Sequence, residues 1–341
     1  MKQGNTGKSR TKKIVLIVLC VVLALILAAA IFVAVYLENL FGMLNRVETV
    51  APTAPAATVA APATTPTKPD EPQATTAPTT APTETTVPEV KDNTINILLV
   101  GADSGGNLSD SMILCTVHTG AKTINLTSFL RDTYVDIPDY FPHKLNTSYS
   151  LGGFSVLDSA LTSNFGVPID GNVAVNFDSF VEVIDAVGGV DIELTEDEVW
   201  YLAGYFGWWD LEEGVNHLDG EQCLHYSRIR SIDGDANRAN RQRIVISALL
   251  DKAKSLSIKE MNNLIFTVLP MITTDLSNAQ ITNYALELLP LLKDLTISTQ
   301  QIPAEGTYHL DWVEQDGGMS VIEIDDWQTN LDILNAIIEG K

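Results

Sequence analysis

Apolar and polar positions divide this 341-residue chain into three regimes. Residues 14–36 (IVLIVLCVVLALILAAAIFVAVY) run for 23 positions without a charge. An apolar helix of about 20 residues crosses a bilayer, so this run predicts one membrane span. The triplet Ala28-Ala29-Ala30 resembles a signal-cleavage site. The apolar run continues past it, however, and exceeds the ~7–15 residues of a signal peptide's apolar core. Residues 51–90 are almost wholly Ala, Pro, Thr and Val. Proline at that density opposes helix and sheet, and little there could offset the cost of ordering the chain. The stretch 37–92 therefore reads as a juxtamembrane segment and an extended linker that holds a domain off the membrane. A folded domain is expected over 93–341.

Inside that domain the periodicity alternates between two and 3.6 residues. TINILLVGAD (94–103), SMILCTVH and KTINLTSFL read as strands, the last two joined by a turn at TGA. FSVLDSALTSNF (154–165) has helical spacing, NVAVNF reads as a strand, and SFVEVIDAV as a helix stopped by Gly188-Gly189. VDIEL is a further strand, followed later by helices in IVISALLDKAKSL, MNNLIFTVLPMI and ITNYALELLPLLKDL. TISTQQI and VIEI are strands, and WQTNLDILNAII a last helix. Strands alternating with helices predict an α/β fold, a three-layer sandwich with a mixed central sheet flanked by helices. In such folds loops at the polar strand ends gather the functional groups.

Charge adds an orientation. The first 13 residues carry Lys2, Lys8, Arg10, Lys12 and Lys13 and no acid. By the positive-inside rule this flank stays cytoplasmic and the domain lies outside the cell membrane. The net charge of −22 becomes −27 once those five positive charges are set aside. A surface that acidic excludes nucleic acid, which needs a basic footprint. Cys20 falls in the predicted span, and Cys115 and Cys223 sit in apolar patterns that suit buried free thiols.

Against that acidity, residues 225–243 (HYSRIRSIDGDANRANRQR) hold Arg228, Arg230, Arg238, Arg241 and Arg243. Beyond Arg46 the only arginine outside this stretch is Arg131, in SFLRDTYV. An extended CLHYSRIR places Tyr226, Arg228 and Arg230 on one face, where like charges repel unless an anion lies between them. Asp235 or Asn237 can cap the helix that follows, which puts Arg238 and Arg241 three apart near its positive end. Cations there oppose the helix dipole by ~0.3–1 kcal/mol each, whereas an anion is welcome. Pairing with Asp233 and Asp235 would account for some of this charge. Arginine rather than lysine points further, to bidentate contacts with phosphate or pyrophosphate. A pyrophosphate site commonly uses Mg²⁺, held by one or two carboxylates and phosphate oxygens. Asp103 and Asp110, in GADSGGNLSD, are the candidate ligands, with a polar turn as the plainer reading.

GAD…SD, SFLRDTYVDIP, HKLN…GG, VIDAVGGVDI, LDGEQCLHYSRIR and DGD-x-x-R-x-x-RQ follow one another in this order. Together they resemble the LytR–CpsA–Psr family of membrane-anchored cell-envelope enzymes, most strongly over 93–255. The resemblance implies a phosphotransferase. It would take a glycopolymer, of teichoic acid or capsular type, from an undecaprenyl-pyrophosphate carrier to a peptidoglycan sugar hydroxyl. By the same resemblance Asp103 and Asp110 would hold Mg²⁺. Arg131, Arg228, Arg230, Arg238, Arg241 and Gln242 would bind the pyrophosphate, with Arg230 and Arg238 also acting in the transfer. Asp235, or Asp233, would activate the acceptor, and the carrier lipid would lie in an apolar tunnel through the core. The sequence departs from the family where Leu108 stands in place of an arginine, and Lys144 is the candidate to restore that charge. Two alternatives stay open: a non-catalytic module that binds polyprenyl phosphate or anionic polymer, and a lipid pyrophosphate hydrolase. The aromatic segment EVWYLAGYFGWWD (198–210) fits either a sugar-stacking surface or a helix-and-loop insert.

Overall fold

The computed structural model describes residues 36–47, 94–102 and 109–341. The predicted span, apart from Tyr36, lies outside the described residues, as do the Pro-rich linker, Asp103 and Leu108. Among the described residues no helix is long and apolar enough to cross a membrane.

A mixed sheet of seven strands runs through the domain in the order β1-β10-β7-β2-β3-β4-β11. These are β1 (Asn45–Arg46), β2 (Thr94–Ala102), β3 (Ser109–His118), β4 (Thr123–Phe129), β7 (Gly171–Val175), β10 (Thr273–Thr274) and β11 (Thr296–Ile302). The short hairpins β5 (Tyr134–Val135) with β6 (His143–Lys144), β8 (Val190–Leu194) with β9 (Gly214–Leu218), and β12 (Tyr308–Val313) with β13 (Met319–Ile324) stand apart. Strand β2 pairs antiparallel with β3 and parallel with β7, so Gly101 lies opposite Val175 and the two parallel strands end side by side.

The central strands are apolar on both faces because helices cover both. On one side Leu98, Val100, Met112 and Leu114 meet Phe154, Leu157 and Leu161 of α1 (Leu145–Phe165) and Leu334 of α8 (Trp327–Glu339). On the other, Ile95, Ile113 and Val117 meet Ile246 and Leu250 of α5 (Asp235–Ser255) and Tyr284 and Leu288 of α7 (Asn278–Leu288). Each fully buried Leu or Ile contributes roughly 1.5–3 kcal/mol. A third cluster joins α2 (Phe177–Ala186), α3 (Glu196–Phe206), α4 (Gly220–Tyr226) and the β8–β9 hairpin around Ile184, Ile192, Leu202 and Tyr226. Gly220 is obligatory there, since a Cβ would lie 2.2 Å from the Val181 carbonyl oxygen of α2.

Three local expectations change. CLHYSRIR is not extended: the Asp219–Gln222 capping box nucleates α4, and burial of Cys223 and Tyr226 holds it helical up to Ser227. Helix α5 is capped by Gly234 without a side-chain bond, which leaves the Asp235 carboxylate free to pair with arginines. The segment directly after the predicted span is not a free linker. Asn45–Arg46 adds an edge strand parallel to Thr273–Thr274, Leu44 is buried, and Asn45 Nδ2 donates to the Pro270 carbonyl at 2.9 Å. The aromatic segment is helix α3 and the turn after it, with Trp200, Tyr205 and Trp209 exposed.

Helix α3 is locked to α5 through one arginine. Arg241 Nε donates to Glu198 Oε1 at 2.6 Å, Nη1 to the Ile229 carbonyl at 3.2 Å, and Nη1 and Nη2 to Asp233 at 2.9 and 2.6 Å. Burial opposes its charge, but the bonded carboxylates of Asp233 and Glu198 outweigh that and raise its pKa. Arg241→Ala would leave two carboxylates without their counter-charge, Glu198 of them buried. Urea denaturation is expected to show a loss of ~3–5 kcal/mol, against near-neutral behaviour for a surface arginine.

A second prediction concerns pH. Asn172 Nδ2 bridges Asp158 Oδ2 at 2.9 Å and Asp275 Oδ2 at 2.8 Å. Burial, aided by the Asp275 charge and opposed by the Asn172 hydrogen bond, pushes the Asp158 carboxyl up to about 7. The folded state thus holds this proton more tightly than the unfolded chain, where an aspartate titrates near ~3.9. The stability contributed by the protonated form is complete below pH ~4 and lost as pH rises to about 7. Subtracting the pH–stability curve of Asp158→Asn from that of the parent chain should reveal this fall across that window.

Candidate active site

At the carboxyl ends of β2 and β7 the sheet and helices α2, α4 and α5 enclose a cavity of about 500 Å³. Its walls are apolar along most of their length, with Val173 from the sheet, Phe180 and Val183 from α2, Leu224 from α4, and Ile246 and Leu249 from α5. Its other end is charged: Arg131, Arg228, Arg230, Arg238, Gln242 and Asp110 all face it.

Separate elements bring these groups together. Asp110 stands at the start of β3, and Arg131 follows the end of β4 two strands from β2. Arg228 and Arg230 lie in the turn after α4, and Arg238 and Gln242 occupy one face of α5 a turn apart. Asp235 Oδ1 lies 3.1 Å from Arg238 Nη2, 3.4 Å from Arg230 Nε and 3.8 Å from Arg131 Nε. Arg131 also pairs with the Asp110 carboxylate, and Arg238 Nη2 donates to the Asp110 carbonyl at 3.2 Å. Arg228 lies over the Phe177 ring, 4.7 Å from its centroid.

Four guanidiniums thus meet the carboxylates of Asp235 and Asp110, and Asp132, 3.6 Å from Arg131 Nε, is shared with Lys144. Burial, with Arg131 and Arg230 as like charges nearby, lowers the pKa of Arg238, and Asp235 and Asp110 oppose the shift. The Nε groups of Arg131 and Arg238 are buried donors without a hydrogen-bond acceptor among the described residues. Excess positive charge, unused donors and an adjoining apolar channel suit a polyanion that carries a long apolar group.

Other residues singled out in the sequence fall elsewhere. Arg241 is bound to both Asp233 and Glu198, and neither Arg241 nor Asp233 lines the cavity, because α5 turns Arg241 towards α3. Lys144 pairs with Asp132 at 3.0 Å, and is likewise not among the cavity's residues. Asp103 lies outside the described residues. Ser111, Asn176 and Ser227 line the cavity without having been anticipated. Ser111 directly follows Asp110, and Asn176 caps α2, signals that a reading centred on charge passes over.

Among the described residues no group of three or more His, Cys, Asp or Glu could hold a metal ion. Asp110 does present a carboxylate at the charged end of the cavity. A magnesium ion that takes phosphate oxygens and water for its other positions needs only one or two carboxylates, so this end fits an ion held jointly with a phosphorylated substrate.

The TagU polyisoprenyl-teichoic acid–peptidoglycan teichoic acid transferase of Enterococcus faecalis is 36% identical to the chain over 202 residues. That alignment covers 56% of this chain and 65% of the relative's length. A solved structure described as TagT bound to LIIa-WTA superposes with a TM-score of 0.59 at 27% identity, over 72% of this chain and 90% of that one. Another, the LytR-CPS2A-psr family protein YwtF (TagT) with bound octaprenyl pyrophosphate lipid, superposes with a TM-score of 0.56 at 25% identity, over 72% and 89%. With residues 59–329 matching the sequence model of the LytR_cpsA_psr family, the chain belongs to that family.

Proposed function

We propose that this protein is a membrane-anchored phosphotransferase. It moves a glycopolymer, of teichoic acid or capsular type, from an undecaprenyl-pyrophosphate carrier to a peptidoglycan sugar hydroxyl and leaves a phosphodiester. The observation that carries the reading is the cavity's two-part character. Arg131, Arg228, Arg230 and Arg238 line it together, and most of the remaining lining is apolar. A pyrophosphate joined to a polyprenyl chain has that same division. The named activity of TagU and the octaprenyl pyrophosphate bound by YwtF (TagT) support it. The span at 14–36 would fix the chain in the cell membrane with its basic tail in the cytoplasm.

On this reading the guanidiniums grip both phosphates and offset the charge that builds on the departing lipid phosphate. Phosphoryl transfer depends chiefly on such positioning and electrostatics. The substrate's own negative charge competes for Arg131, Arg230 and Arg238 and releases Asp235 from its ion pairs. Asp235 can then receive the proton of the attacking sugar hydroxyl. Asp233, tied to Arg241, keeps the turn before α5 in shape instead. Asp110, with Asp103, would hold Mg²⁺, which would supply further charge neutralisation across the two phosphates.

Transfer is measured as lipid phosphate released from a pyrophosphate-linked glycolipid in the presence of a peptidoglycan oligosaccharide. Arg230→Ala and Arg238→Ala should each lose ~100-fold or more in kcat. Asp235→Asn should lower kcat while leaving donor KM nearly unchanged. Undiminished turnover in these variants removes the cluster from the mechanism, and release that is independent of acceptor identifies a hydrolase. Chelation should abolish transfer, and Mg²⁺ should restore it in the parent chain at lower concentration than in Asp110→Asn.

A further inference from the structure

The described segment 36–47 ties the end of the predicted membrane span to one particular face of the domain. The Tyr36 hydroxyl bonds Asn262 and its ring meets Phe266 edge-on at 5.6 Å, both on α6 (Ile258–Val268). Arg46 bonds Asn278 at the start of α7, and β1 closes the edge of the sheet. Tyr36 also lies at the end of the uncharged run, followed only by Leu37 before Glu38.

One helical turn before Asn262, on the same side of α6, stands Ile258. It is 92% exposed, the most exposed of the large apolar side chains described. Lys252, Lys254 and Lys259 lie within six residues of it along the chain. They are three of the seven lysines between Thr94 and Lys341, in a chain otherwise dominated by acids. Asp251, which pairs with Lys254 at 2.6 Å, and Glu260, which caps α6, leave this turn with a small positive excess. An exposed isoleucine in a lysine-rich turn is the composition of a surface that dips into the headgroup layer of an anionic bilayer.

We propose that the turn between α5 and α6 rests on the membrane, with Ile258 inserted and the three lysines at the headgroups. The proposal takes as given the membrane anchor put forward above. In this arrangement the segment 36–47 is a strap that sets the domain directly on the bilayer, and the Pro-rich linker does not set its height. From β1 to β2 the linker has only to bridge roughly 20 Å, by the ~4.8 Å spacing of strands and their rise, although its residues stretched out would reach ~150 Å. The orientation also serves the cavity. Ile246, Leu249 and Leu250 line its apolar part from the half of α5 that leads into this turn. A polyprenyl tail could therefore pass from the bilayer into the cavity with little exposure to water.

The test uses the full chain in vesicles containing phosphatidylglycerol. Spin labels are placed through Ile258→Cys and, as a control on the exposed β12 hairpin, Leu310→Cys, with the parent chain treated alike as background. The label at 258 should be several-fold more accessible to dissolved oxygen than to an aqueous nickel chelate, with the reverse at 310. Deleting residues 51–90 should leave the 258 signal unchanged. Leu44→Asp or Asn45→Pro, which loosen the strap, should return it to the aqueous pattern while the chain still floats with the vesicles. Equal water access at 258 and 310, or a 258 signal that follows linker length, overturns the proposal. A chain that does not float overturns the anchor and this orientation together.

Discussion

The Asp235 carboxylate is shared by three guanidiniums, those of Arg238, Arg230 and Arg131, all within 4 Å. Two like charges ~6 Å apart at an effective dielectric of ~20 repel by ~3 kcal/mol. Asp235, Asp110 and Asp132, the last shared with Lys144, are fewer than the four guanidiniums and the lysine they face, so the site keeps a demand for negative charge. The rest of the architecture holds the arginines in place despite it. Arg131 is fixed by the end of a central strand, Arg238 by a helix packed on the sheet, and Arg230 by a turn wedged between two helices.

Arg241 shows how the same residue type serves a different purpose three positions along. Its helix carries it away from the cavity to Glu198, and there it is fully neutralised and buried. Its bonds to Asp233 and to the Ile229 carbonyl shape the turn that presents Arg228 and Arg230. One arginine is structural so that its neighbours can remain electrostatically unsatisfied. Gly220 acts in a related way, since its lack of a side chain lets α4 lie on α2 and bring Leu224 and Arg228 to the cavity.

The strap at 36–47 changes how the chain's regimes relate. A spacer would place a charged cavity at a variable distance from a lipid-borne substrate. In the proposed anchored arrangement, an edge strand and a docked tyrosine would give the domain a fixed attitude, with Ile258 and three of its lysines turned to the bilayer.

Most elements were legible in the sequence, because β2 to β4, β7, α2 and α8 announce themselves through periodicity and buried runs. The clustered arginines on an acidic chain were equally legible as a demand for an anion, since composition alone makes that contrast. The β9 and β12 strands were not, for both are mostly exposed and lack a continuous apolar run. Neither was the helix in GEQCLHY, where a capping box overrides a pattern that also suits a strand. Which arginines face the cavity and which is spent on Glu198 depended on the rotation of α5 against α3, a matter of packing between elements far apart in sequence. The docking of residues 36–47 was hidden for the same reason: a two-residue strand carries no periodicity, and its partner lies more than two hundred residues away. Local pattern determined the parts and the ligand's charge, and long-range packing decided which side chains meet it.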